Sequence, residues 1–149
     1  KSDYSVMKEC EKILRILKVK FQLSIVSAHR TPKRMFEFAE KAEQRGIKII
    51  IAGAGGAAHL PGMTASISNL PILGVPIESK KLKGLDSLLS IAQMPAGIPV
   101  GSLAVGEAGA INAALLAVSI LGIENNSLQK KYKLWRSKQT SSVSKKPSK

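Results

Sequence analysis

The strongest structural signal in this 149-residue chain is the run Ile47-Lys48-Ile49-Ile50-Ile51-Ala52-Gly53-Ala54-Gly55-Gly56-Ala57-Ala58-His59-Leu60-Pro61-Gly62. Residues 47–52 are mostly β-branched and only Lys48 is polar, a composition typical of a parallel strand that is covered on both faces. The small residues that follow allow a turn in which a ligand lies directly against the backbone. We therefore predict a buried strand over 47–52 that ends in a small-residue loop.

A second strand and turn precede this one. Alternation of apolar and polar residues predicts a strand over 21–26, followed by the polar turn 27–32. Pro32 suits the first turn of a helix that we expect to run to about Arg45. Further upstream, apolar residues recur with the helical period over 6–17, which predicts a helix packed on the sheet.

The remaining sequence also alternates between strand-like and helix-like segments. We predict short strands over 72–75 and 99–104, and helices over 85–92 and 109–121. This order predicts an α/β fold with a three-layer, doubly wound parallel sheet, and such sheets bind ligands at the carboxyl ends of their strands.

The chain is expected to form one domain and an extension. Its length and its 44% apolar content, with only 4% aromatic residues, suit a single domain with an aliphatic core. We place this domain at residues 1–122. Residues 123–149 are predicted to hold an exposed helix over 125–135 and a disordered tail over 140–149 that is rich in Ser, Lys and Pro.

The net charge of +13 raises nucleic acid as a partner, but the distribution of the charge argues against it. Residues 130–149 hold eight Lys or Arg side chains and no acid, so most of the excess lies in these last twenty residues. In the rest of the chain, basic residues alternate with acids and no basic stripe is interleaved with aromatic rings. We therefore expect no nucleic-acid partner.

The sequence also limits the compartment. No apolar run of 18 residues is free of polar residues and the first residues resemble no secretion signal, so we expect a cytoplasmic protein with no membrane partner. The single cysteine, Cys10, cannot form an intrachain disulfide. Its place on the apolar stripe of the first helix predicts a buried structural thiol rather than a nucleophile.

The turn 27–32 offers groups that can bind an anion and move a proton. The hydroxyl of Ser27, the guanidinium of Arg30 and the amino end of the next helix can all donate to a phosphate. His29 lies beside them and can exchange a proton near neutral pH. A histidine that only caps the turn, with an arginine paired on the surface, would explain the same residues.

The loop 53–62 matches no nucleotide-binding motif. It lacks the spacing G-x-G-x-x-G and the Lys-Ser or Lys-Thr pair of a P-loop, so no dinucleotide or ATP site is expected. Close packing of a helix on the sheet would also explain its small residues. His29, His59 and Cys10 have no metal-ligand spacing, so we expect no metal site.

The first residues form a third polar turn. Ser2 or Asp3 can accept hydrogen bonds from the free N–H groups of the first helix. A simple helix cap explains these residues as well as a ligand contact does.

Three segments together resemble a known enzyme family. They are Ser27-Ala28-His29-Arg30-Thr31-Pro32, the loop from Ile51 to Met63, and Ser87-Leu88-Leu89-Ser90-Ile91 with Gln93-Met94-Pro95. Through them, residues 1 to about 122 resemble the class I N5-carboxyaminoimidazole ribonucleotide mutases of purine biosynthesis, the family of the phosphoribosylaminoimidazole carboxylase catalytic subunit. The resemblance implies a flavodoxin-like sheet.

The activity implied by the resemblance is an isomerisation that needs no metal and no organic cofactor. The carboxylate of N5-carboxyaminoimidazole ribonucleotide moves from the exocyclic nitrogen to C4 by decarboxylation and recarboxylation, while CO2 stays bound. His29 is implied as the catalytic proton shuttle. Ser27 and Arg30 would bind the phosphate and Asp3 the ribose. The substrate-binding residues implied by the match are Ser2, Asp3, Ser27, Ala28, Arg30, Ala54, Gly55, His59 and Leu60.

The resemblance also implies a homo-octamer and leaves one departure from the family. Members have active sites between subunits, and the Ala-rich helix 108–121 has little polar surface and needs cover on several sides. The family's first strand and the Gly-Ser dipeptide of its phosphate loop would precede Lys1. We expect a sequence that begins part-way into the protein rather than a truncated protein; without that strand its neighbours would be unpaired.

Two alternatives to the mutase stay open at this point. Related animal enzymes carboxylate aminoimidazole ribonucleotide directly with free CO2, although the loop 53–62 resembles the class I form. The other alternative is an inactive protein that only binds phosphorylated ligands.

Overall fold

The computed structural model describes residues 3–146. Within them the helices are α1 (Tyr4–Ile16), α2 (Pro32–Lys41), α3 (Leu60–Ala65), α4 (Leu85–Ala92), α5 (Glu107–Leu121) and α6 (Asn126–Ser142). The strands are β1 (Ile50–Gly55), β2 (Ile72–Ile77) and β3 (Gly101–Ser102). None of these helices combines the length and the hydropathy that a membrane crossing requires.

The three strands form one parallel sheet in the order β1-β2-β3. β1 pairs with β2 along its whole length, from Ile50 opposite Ile72 to Gly55 opposite Ile77. β3 is only two residues long and pairs with the middle of β2. Because the strands run in the same direction, the loops that follow them lie at one edge of the sheet.

Helices cover both faces of this sheet, so the fold has three layers. On one face, Val75 and Ile77 of β2 pack against α1 and α5, and α6 lies against α5. On the other face, Ile50 and Ile72 pack against α2 and α3, and Ile91 of α4 packs beside them. The predicted three-layer parallel α/β fold is confirmed.

Some of the glycines serve close packing between helices and strands. A Cβ atom on Gly53 would lie 2.5 Å from Sδ of Met7 in α1, and one on Gly74 would lie 2.5 Å from Cγ2 of Ile91 in α4. The packing explanation for the small residues of the loop 53–62 therefore holds for Gly53, which is still inside β1.

The predicted strand over 21–26 is wrong. The segment has no regular secondary structure, and Leu23 and Ile25 are 54% and 67% exposed. A strand needs a neighbour for its backbone N–H and C=O groups. The edge of β1 that faces this segment is separated from it by a cleft of about 1320 Å³, lined by residues 18–24 on one side and 45–52 on the other.

Most of the other predicted elements are present with different bounds. The second helix ends at Lys41 instead of Arg45 and continues as turns to Gly46, whose φ is +77°. β1 begins at Ile50 instead of Ile47 and continues to Gly55, since pairing with β2 and not β-branched composition sets its ends.

The predicted helix over 125–135 corresponds to α6, which is longer. The side chain of Asn125 accepts a hydrogen bond from the N–H of Leu128 at 3.0 Å and so caps the helix. Leu128 is buried against the core. Residues 140–142 of the predicted tail are helical, and 147–149 lie outside the described residues. The division of the chain after residue 122 stays a prediction.

Candidate active site

Two histidines from distant parts of the chain meet at the carboxyl edge of the sheet. His29 lies in the turn before α2, and His59 is the residue that precedes α3. Nε2 of His29 lies 2.8 Å from Nδ1 of His59, and the ring planes are 83° apart. The structure thus brings together the predicted turn 27–32 and the loop 53–62.

The contact accommodates one proton between the two rings. A hydrogen bond between imidazole nitrogens needs an N–H on one ring and a lone pair on the other. Protonation of both rings would set two N–H groups against each other and break the bond. Both side chains are exposed, so a ligand can reach them. The pair can therefore give a proton to a bound ligand and take one back.

The turn that carries His29 is closed by its own polar groups. The Ser27 N–H donates to Oγ1 of Thr31 at 2.8 Å, and the Thr31 N–H donates to the Ser27 carbonyl at 3.0 Å. The Arg30 N–H donates to Oγ of Ser27 at 3.2 Å. A hydroxyl that accepts can also donate, so Ser27 can still give its proton to an anion beside the exposed guanidinium of Arg30.

Residues 55–58, called the glycine loop below, connect the end of β1 to His59. Gly56 has a φ of +69°, in the left-handed region that favours glycine. Two tight turns follow: the Ala58 N–H donates to the Gly56 carbonyl and the His59 N–H donates to the Ala57 carbonyl, each at 2.8 Å. Gly55 is exposed at the end of the strand, so its backbone is open to a ligand.

A buried serine that was not predicted from the sequence holds this loop. Oγ of Ser87 in α4 accepts the Gly56 N–H at 2.8 Å and donates to the Ile77 carbonyl at 2.6 Å. The side chain is fully buried, one helical turn before the fully buried Ile91. A serine on the apolar face of the predicted helix 85–92 needs a buried hydrogen-bond partner, and that signal was present in the sequence.

The apolar residues of the predicted site lie around the histidines. Ala54 and Gly55 end β1, and Leu60 begins α3 directly after His59. Ala28 and Ala54 are buried and Leu60 is half-buried. These side chains suit the walls of a pocket.

The predicted contacts at the front of the chain are placed only in part. Asp3 precedes α1, and its backbone carbonyl accepts the N–H groups of Val6 and Met7, while its carboxylate does not cap the helix. Because Met7 packs on Gly53, this end of α1 lies near the carboxyl end of β1. Ser2 lies outside the described residues.

The cleft beside β1 is not where the histidines lie. Its lining contains neither histidine and shares only Leu60 with the predicted site. Proton transfer needs a group that can both donate and accept a proton, which makes the contact between His29 and His59, and not the cleft, the candidate site. Within residues 3–146, no three His, Cys, Asp or Glu side chains lie close enough together to hold a metal ion.

The single thiol is buried, as predicted. Burial, with a smaller effect of Glu11, raises the pKa of Cys10 from 9.0 to about 12. At pH 8 the thiolate fraction is then about 10³-fold lower in the folded protein, and we expect iodoacetamide to label Cys10 only after unfolding. The folded state holds this proton more tightly, so the thiol's contribution to stability is complete below pH 9 and is lost as the pH rises towards 12. Rapid labelling of the folded protein at pH 8 would contradict the assignment.

Fold and site together define a class of protein: an open α/β sheet whose carboxyl edge is suited to proton transfer on a small anionic ligand. The sequence model of the family described as AIR carboxylase matches residues 1–142. The chain belongs to the AIR carboxylase family.

Several named proteins have sequences similar to this chain. The N5-carboxyaminoimidazole ribonucleotide mutase of Vibrio cholerae is 55% identical over 143 residues, which are 96% of this chain and 89% of the relative. That of Escherichia coli is 54% identical over 147 residues, 99% of this chain and 87% of the relative. A bifunctional purine synthesis protein, purC/E, of Dictyostelium discoideum is 56% identical over 146 residues, which are 98% of this chain but 15% of that protein.

The fold has a solved counterpart. The crystal structure of Treponema denticola PurE superposes with a TM-score of 0.84 at 22% identity and covers 94% of this chain and 86% of that one. At this identity the likeness shows the fold alone, and it agrees with the flavodoxin-like sheet that was predicted.

Proposed function

We propose that this protein is an N5-carboxyaminoimidazole ribonucleotide mutase of purine biosynthesis, with His29 as its catalytic residue. The contact between His29 and His59 beside the glycine loop carries the proposal, because carboxylate transfer needs one group that gives a proton and takes one back. The Vibrio cholerae and Escherichia coli relatives with this name support it.

In the proposed reaction, His29 first donates one proton to the substrate and later takes one back. When the bond between the exocyclic nitrogen and the carboxylate breaks, CO2 is released and His29 donates a proton to that nitrogen. C4 of the imidazole then attacks the CO2, and His29 takes back the proton that C4 loses. His59 orients the His29 ring through the hydrogen bond between them.

The surrounding residues bind the substrate and retain CO2. The exposed backbone at Gly55 lets the flat imidazole and CO2 lie against the loop, and apolar walls slow the escape of CO2. The hydroxyl of Ser27 and the guanidinium of Arg30 bind the phosphate. The remaining contacts proposed are Ser2, Asp3, Ala28, Ala54, His59 and Leu60.

The proposed mutase activity is tested with substrate that carries ¹³C in its N5-carboxylate, in one arm without added bicarbonate and in a second arm with unlabelled bicarbonate. We expect turnover without added bicarbonate and retention of the label in the C4-carboxylate, because CO2 stays in the pocket. The proposal would be contradicted if the labelled substrate were not turned over without bicarbonate and gave unlabelled product when bicarbonate was added.

Direct carboxylation of aminoimidazole ribonucleotide is the alternative that the same assay examines. Turnover of that compound alone, and only at high bicarbonate, would favour it. Ligand binding without turnover of either compound would favour an inactive binding protein. The high sequence identity to relatives that are named as mutases favours neither direct carboxylation nor an inactive binding protein.

We further propose a cytoplasmic homo-octamer that needs no metal or organic cofactor and binds neither nucleic acid nor membrane. Three exposed leucines at α4 support assembly, since large apolar side chains in one region favour a protein contact: Leu82, Leu85 and Leu89. The number eight comes from the resemblance to the mutases. Light scattering on the full chain measures it, and a monomer at micromolar concentration would contradict it.

A further inference from the structure

The hydroxyl of Ser87 lies between the ends of two neighbouring strands. Gly55 and Ile77 are the last paired residues of β1 and β2. Immediately beyond them, the Gly56 N–H donates to Oγ of Ser87 and this hydroxyl donates to the Ile77 carbonyl. One side chain of α4 thus bridges the two strands where their pairing ends.

This bridge lets the loop turn away from β2 without leaving a buried polar group unpaired. The Gly56 N–H finds its partner on Ser87, so Gly56 can adopt its φ of +69° and direct the chain towards His59. The hydroxyl uses its donor and its accepting capacity at the same time. Because Ser87 is fully buried, it reaches the loop and not the ligand.

We propose that Ser87 is a positioning residue, which fixes the loop Gly55–Ala58 so that His59 meets His29 and the Gly55 backbone faces the substrate. This inference rests on the proposed mutase function, because the substrate is the one named there. Loss of the hydroxyl leaves the Gly56 N–H without its partner and frees the loop to adopt other conformations.

The same helix offers a matched control. Oγ of Ser90 donates to the Asp86 carbonyl at 2.7 Å and is 3.4 Å from the Gly56 carbonyl, which already accepts the Ala58 N–H at 2.8 Å. Ser90→Ala therefore removes a hydroxyl beside the same loop and leaves the loop's stronger hydrogen bonds intact.

The first measurement is turnover by the full chain. In Ser87→Ala we expect kcat/KM to fall about 10- to 100-fold, with a decrease in kcat as well as an increase in KM, because a displaced loop misplaces the reacting groups. Ser87→Cys, whose thiol is a weaker donor and acceptor, should be intermediate, and Ser90→Ala should lose much less. Equal losses in Ser87→Ala and Ser90→Ala would overturn the inference.

The second measurement does not depend on activity. Hydrogen exchange of the Gly56 amide should be slow in the wild type and in Ser90→Ala, and at least about tenfold faster in Ser87→Ala while the strand amides stay protected. If the wild type turns over no substrate, the proposed function fails, and the dissociation constant of the C4-carboxylated nucleotide replaces kcat/KM. An unchanged Gly56 exchange rate in Ser87→Ala would overturn the inference in either case.

Discussion

His29→Asn should reduce turnover of the N5-carboxy substrate about 10²- to 10⁴-fold, the range that a general acid–base group contributes. Asparagine keeps a polar side chain, but it is shorter than histidine on the Nε2 side and it cannot exchange a proton near pH 7. The turn itself should persist, because Ser27 and Thr31 close it without the imidazole. Binding of the C4-carboxylated nucleotide should change by less than about tenfold, or ~1.4 kcal/mol. Single-turnover kinetics and calorimetric titration measure the two quantities.

His59→Asn is the informative comparison. Its side-chain amide can take the place of Nδ1 and either accept a hydrogen bond from Nε2 of His29 or donate one to it, so the orientation of His29 survives. We therefore expect a loss of about tenfold, well below that of His29→Asn. A larger loss in His59→Asn than in His29→Asn would reverse the roles, and full activity in both variants would remove the pair from the chemistry.

Gly109→Ala should destabilise the protein strongly, although alanine is ordinarily the better helix former by about 1 kcal/mol. A Cβ atom at this position of α5 would overlap the carbonyl oxygen of Ala104 and lie 2.7 Å from its carbonyl carbon. These atoms belong to the backbone and cannot move aside like a flexible side chain. We expect a loss of about 3 kcal/mol in the free energy of unfolding, which corresponds to a decrease of roughly 6 to 12 °C in Tm.

Asn112→Ala provides the control on the same helix. Asn112 is exposed, so alanine should change the free energy of unfolding by less than about 0.5 kcal/mol. Both variants are compared by thermal and urea unfolding at one protein concentration, because assembly makes Tm depend on concentration. A Gly109→Ala protein as stable as the wild type would mean that α5 is not pressed against Ala104.

Local patterns predicted the helices better than the strands. The helix over 85–92 has the predicted bounds, since its apolar period and its flanking Gly84 are local signals. The strand over 21–26 failed because alternation describes a side-chain pattern, while a strand also needs a backbone partner elsewhere in the chain. β1 was displaced by three residues because Gly53 and Gly55 do not look like strand residues, yet they pair with β2.

The candidate site was predicted residue by residue but not as an arrangement. His29 and His59 were chosen for their turns, and their direct contact depends on how α2 and α3 pack together on one face of the sheet, which no spacing in the sequence states. Ser87 was quoted within a motif without a role. Its partners, Gly56 and Ile77, are 31 and 10 residues away, so only the fold reveals what its hydroxyl does.

The packing of α1 against α5 has a consequence for synthesis of the protein. These helices share one apolar cluster, yet roughly ninety residues separate Ile16 from Glu107. At ~5–20 residues per second, α1 leaves the ribosome about 5 to 20 s before its partner does. During that interval Cys10, Ile13 and Leu14 have no α5 to cover them. The nascent chain therefore exposes an apolar helix face to which a chaperone can bind.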